Sequence, residues 1–121
     1  ENLLERIESI LLKWFWSEHY HSTEIESKAL ITTSATLLKS AVIENNSATD
    51  LFLQVFDVNE EPDPGTTPLM AFTLPKNTTG SFQFNEKFNT GVFVALSTTQ
   101  FTYSDATATA SLNVEYKTML N

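Results

Sequence analysis

The chain has no cysteine, three glycines, two histidines and a single arginine, Arg6. Without cysteine there is no disulfide framework, no thiolate nucleophile and no zinc-thiolate site. Seven Lys and Arg stand against fifteen Asp and Glu, a formal net charge of −8. Nucleic-acid binding needs clustered Lys and Arg to neutralise phosphates, and that patch is missing. Binding to anionic membranes is disfavoured for the same reason. No apolar run is long enough to cross a bilayer. No secretory signal is expected either, because the sequence opens on Glu1 without a basic n-region. An acidic surface of this kind favours solubility and neutral or basic partners.

What is present divides near residue 28. The 121 residues suffice for one domain with a real core. Residues 1–16, "ENLLERIESILLKWFW", are predicted to form an N-terminal α-helix. Leu4, Ile7, Leu11 and Phe15 recur at helical spacing, and Leu3, Ile10 and Trp14 widen the stripe. Glu1, Glu5 and Glu8 lie toward the positive end of the helix dipole and Lys13 toward the negative end. Trp14, Phe15 and Trp16 make the last turn apolar nearly all round, so it needs cover from the domain or from a partner. Residues 17–28, "SEHYHSTEIESK", are polar and weakly patterned, and are expected to be a connector.

From residue 29 to residue 121 the apolar period changes from 3.6 to about 2. "DLFLQVFDV" sets Leu51, Leu53 and Val55 on one face and Phe52, Gln54 and Phe56 on the other. "ASLNVEYKTML" sets Leu112, Val114 and Tyr116 against Asn113, Glu115 and Lys117. The turn signals "NNSATD", Pro64-Gly65, "KNTTG" and "NTG" separate about seven or eight strands. The expected fold is mainly β, an antiparallel jelly-roll-like β-sandwich with one N-terminal helix. The phenylalanines are expected to fill its core. Phe52 and Phe56 leave one strand apolar on both faces, and the second burial is expected against another subunit.

The chemical candidates are few. His19 and His21 form an H-x-H beside the aromatic run, and on a strand both imidazoles would point to one side. Two ligands are too few for a stable metal site unless symmetric copies add theirs, so the pair is expected to be part of a polar hinge. Asp57, Asn59, Glu61 and Asp63 alternate in an acidic loop, but Pro62, Pro64 and the missing glycine break the calcium-loop pattern. There is no G-x-S-x-G elbow, and Glu44, Asp57, Glu86 and Glu115 show no sign of pairing for sugar hydrolysis. The Asn45 and Asn77 sequons are expected to be ordinary turns. No catalytic residue, metal ligand or cofactor site is assigned, and the chain is expected not to be an enzyme.

The stretches Leu38 to Asn45, Leu53 to Asp57, Pro62 to Pro68 and Gly91 to Thr99 carry an ordered set of signals. They read "L…V.N", "LQ.FD", a "P..G..P" loop and "G…A.ST…T". In this order they resemble a β-sandwich module of virion structural proteins in tailed bacteriophages, over about three quarters of the chain. The resemblance implies a non-enzymatic role in the virion, as capsid decoration, head fibre, or tail or neck component. It implies a homo-oligomer, a trimer favoured, contacting other virion proteins such as capsid or tail. The helix lies outside the resemblance. Its Leu4, Ile7, Leu11, Trp14, Phe15 and Trp16 are the candidate partner-binding residues. A carbohydrate- or cell-surface-binding module on the same fold is the alternative, with Tyr103 and the 57–65 loop as candidates.

Overall fold

The computed structural model describes residues 2–7, 17–104, 106 and 110–119. Residues 3–7 form a short helix, α1. Asn2 caps it: its side-chain oxygen accepts the Glu5 amide at 2.9 Å, and its carbonyl accepts the Arg6 amide at 3.2 Å. Eight strands follow among the described residues: β1 (Glu18–His21), β2 (Lys28–Thr32), β3 (Thr36–Asn45), β4 (Leu51–Phe56), β5 (Met70–Leu74), β6 (Thr78–Phe88), β7 (Val92–Ser97) and β8 (Ala110–Thr118).

All pairings are antiparallel. β1 pairs with β8, β2 with β7, β3 with β6 and β4 with β5. That nested order is one long hairpin wrapped into two sheets, β1-β8-β3-β6 and β2-β7-β4-β5, which is a jelly roll. The β4–β5 connection is the tip of the hairpin. There Thr66 N–H donates to Asp63 O at 3.1 Å across Pro64 and Gly65, and Gly65 has φ 91°. This is the turn that a Pro-Gly pair favours.

The two sheets bury Leu38, Ile43, Leu53, Val55, Val94, Leu96, Leu112 and Val114 between them. Phe72 on β5 meets Phe82 and Phe84 on β6, at centroid distances of 5.4 and 5.8 Å, and closes one open side of the sandwich. The alternation in β3 is not uniform. Its register with β6 and β8 shifts between Leu38 and Ser40, so Leu38 and then Ala41, Ile43 and Asn45 face inward. The bulge turns Val42 outward.

The structure corrects two expectations. The connector expected over 17–28 carries β1, the edge strand of the first sheet. On the second apolar face of β4, Phe56 is covered by the same chain, while Phe52 stays half-buried. Phe56, Phe93, Ala95 and Tyr103 form a separate buried cluster on the outer face of the second sheet. Phe56 meets Phe93 at 5.9 Å and Tyr103 at 5.6 Å, both edge to face. Tyr103 arrives on the segment after β7, which Gln54 holds down from below. The fully buried Gln54 amide donates to the carbonyls of Thr99 at 2.8 Å, Gln100 at 3.1 Å and Thr102 at 2.9 Å. Ser97 Oγ accepts the amides of Thr99 and Ser104, both at 3.2 Å, and fixes the two ends of the same loop. β7 is therefore buried along its whole length.

Two further polar side chains hold loops. Asn45 Nδ2 donates to the carbonyls of Thr49, Leu74 and Pro75 at 3.1–3.2 Å, while its Oδ1 accepts the Ser47 amide at 3.0 Å. Asp57 accepts the amides of Asn89, Thr90 and Gly91 at 3.1, 2.8 and 3.3 Å. Gly91 is required there by close packing, since a Cβ would lie 2.5 Å from Val58 O and 2.6 Å from Thr32 O. A Gln54→Ala chain is expected to lose roughly 1–3 kcal/mol of stability, read by urea denaturation. Amide exchange should rise across 99–104, and unchanged exchange there would contradict the clamp.

Candidate functional site

The partner-binding face proposed from sequence falls partly on described residues. Leu4 and Ile7 lie on α1 and are exposed, at 73% and 43%, and Leu3 beside them is 71% exposed. Leu11, Trp14, Phe15 and Trp16 lie outside the described residues. The apolar face of α1 is thus turned to solvent, unlike the large apolar side chains of the sandwich interior.

Where the chain enters the sandwich, β1 is tied down by its polar groups. Lys39 Nζ donates to Ser17 Oγ at 2.8 Å. The Glu18 carboxylate accepts the Thr118 backbone amide at 2.9 Å and the Thr118 hydroxyl at 2.6 Å. Burial pushes the Glu18 carboxyl upward, but the two Thr118 hydrogen bonds and the Lys117 charge outweigh it and hold the group below its ordinary 4.5. Tyr20 faces inward, and its hydroxyl donates to Glu26 Oε1 at 2.6 Å. Ser22 Oγ donates to the same oxygen at 2.6 Å and accepts the Leu112 amide at 2.8 Å. Burial first, then the Glu26 hydrogen bond and charge, push the Tyr20 phenol up to about 12. Burial, with the Glu18 charge, also raises Tyr116.

His19 and His21 alternate with these inward residues and point to the outer face of the first sheet. Both are exposed. The register sets His19 opposite Glu115 and His21 opposite Asn113, and sets Ser40 and Val42 on the far side of those two residues. The six side chains line a shallow depression of about 370 Å³. His19 Nε2 lies 3.4 Å from Glu115 Oε2. Among the described residues no group of three or more His, Asp and Glu side chains can hold a metal ion.

The other candidates separate. In the 57–65 loop Asp57 holds the β6–β7 turn, and Glu61 Oε1 pairs with Lys28 Nζ at 2.9 Å. Tyr103, a candidate for stacking on sugar, is 3% exposed and packed on Phe56 and Phe93, so its ring faces no ligand. Phe101, two residues earlier, is the exposed aromatic of that loop. Asn45 is buried and committed to three carbonyls, so its sequon is not a glycan acceptor in the folded chain. No described helix is long and apolar enough to cross a membrane.

No protein-family model matches the chain, and no curated protein matches it in sequence. Among solved structures, the coat protein of Tobacco streak virus is similar at 13% identity. The similarity covers 84% of this chain and 85% of that one, with a TM-score of 0.41.

Because the folded-state pKa of Glu18 lies below the ordinary 4.5, its stabilisation is present above pH 4.5 and is lost as pH falls through the folded value. A Glu18→Gln chain should be less stable than the parent at neutral pH, with the gap closing in acid. Thermal melts across that range measure it, and a gap independent of pH would refute the assignment.

Proposed function

We propose that this chain is a non-enzymatic structural part of a virion, a jelly-roll body attached and assembled through its N-terminal helix. The observation that carries the reading is the contrast between the two parts. The sandwich covers both faces of β7, and Phe56 on the second face of β4, with its own side chains. The helix leaves Leu3, Leu4 and Ile7 in solvent. A sandwich that buries β7 and Phe56 with its own side chains, joined to a helix whose described apolar side chains are exposed, is suited to display on an assembly.

Two things support the viral assignment. Double-sheet jelly rolls recur in viral capsid domains, though also in lectins and cupins, so topology narrows the choice without making it. The order of signals from Leu38 to Thr99 resembles tailed-phage virion modules. The finer proposal is a phage capsid-decoration, head-fibre or tail component, forming a homotrimer on capsid or tail proteins.

Each large apolar side chain taken fully out of water contributes roughly 1.5–3 kcal/mol. Leu4, Ile7, Leu11, Trp14, Phe15 and Trp16 from several copies would add through multivalency. A Trp14→Ala, Trp16→Ala double variant should lose affinity for its own copies or for the particle while keeping the parent's β circular dichroism. Undiminished assembly in that variant would show that the helix is not the anchor.

A further inference from the structure

The outer face of the first sheet carries a chemical device that the assembly reading does not use. His19 and His21 lie two residues apart on a strand, so their side chains share one face. Both are exposed and border the same depression. Imidazole nitrogens suit Cu²⁺, Ni²⁺ and Zn²⁺, whereas Ca²⁺ and Mg²⁺ prefer oxygen donors. The Glu115 carboxylate lies on the adjacent strand, opposite His19, with its Oε2 3.4 Å from His19 Nε2. Asn113 stands across from His21 and adds no charge. The chain's net charge of −8 favours cations over anions near its surface.

We propose that His19 and His21 form a two-nitrogen chelate for a divalent transition-metal ion, with Glu115 as the positioning residue that orients His19. Water fills the remaining coordination positions, because no third protein ligand is within reach among the described residues. The preference runs Cu²⁺ above Ni²⁺ and Zn²⁺, following the general order for nitrogen sites. The ion is exchangeable, since an open, two-ligand site does not enclose it. The site does not depend on the virion reading, since neither histidine belongs to the helix.

The test is titration of the full chain with Cu²⁺ alone in a non-coordinating buffer, followed by calorimetry and by electron paramagnetic resonance. One ion per chain with a two-imidazole nitrogen pattern is expected, and no heat with Ca²⁺. His19→Gln and His21→Gln should each lose the two-nitrogen signature and fall to single-imidazole binding. Glu115→Ala should bind about tenfold more weakly, the lower range for an orienting carboxylate, with unchanged circular dichroism. A two-nitrogen signature or undiminished copper affinity in either histidine variant, a one-nitrogen spectrum in the parent, or one ion shared by two chains would overturn the chelate. Full affinity in Glu115→Ala would remove the carboxylate from it.

Discussion

One buried amide organises the second sheet. Gln54 lies on the outer face of β4, where a leucine would seem to suit its neighbours Phe52 and Phe56. Its value is in its two N–H donors, which hold the carbonyls of Thr99, Gln100 and Thr102 against the sheet. Held there, the loop delivers Tyr103 onto Phe56 and Phe93. Donors directed at loop carbonyls satisfy backbone groups that would be costly to bury unpaired. Asn45 applies the same device to another turn, and Asp57 the converse one by accepting backbone amides, so three polar side chains set where these connections of the jelly roll lie.

This arrangement treats the two outer faces of the sandwich differently. A single sheet-on-sheet core leaves each outer face in water. Here the Gln54-held loop adds a small third layer on one face, and β7 becomes a central strand buried on both sides. The other outer face stays open, with His19, His21, Val42, Asn113 and Glu115 on it. The helix enters through β1, which the Thr118 hydrogen bonds to Glu18 and the Tyr20–Glu26 contact fasten to the sandwich.

Much of the sandwich was legible in the sequence, because alternation and turn residues report directly on sheet faces. β4, β8 and the Pro64-Gly65 turn follow from Leu51, Leu53 and Val55, from Leu112 and Val114, and from the φ that glycine permits. β1 was hidden because an edge strand of four residues needs only one inward apolar side chain, Tyr20, and otherwise looks like a polar linker. The cover on Phe56 was hidden for a different reason. Gln54 binds backbone carbonyls, which carry no sequence signal, and a glutamine in a strand reads as a solvent-facing residue. The same blind spot made Tyr103 look like a free aromatic. Asp57 and Gly91 are fixed by contacts within the fold: Asp57 accepts the Gly91 amide, and a Cβ at Gly91 would meet Val58 O and Thr32 O. The helix expected over 1–16 is seen over residues 3–7, and the rest of its stripe lies outside the described residues.

The central claim is that the sandwich is complete by itself and that association belongs to the helix. Sedimentation of the full chain beside a chain beginning at Ser17 tests it most directly. The account predicts an oligomer for the full chain and a folded monomer for the shorter one. A shorter chain that still associates, or a full chain that stays monomeric at high concentration, would contradict it.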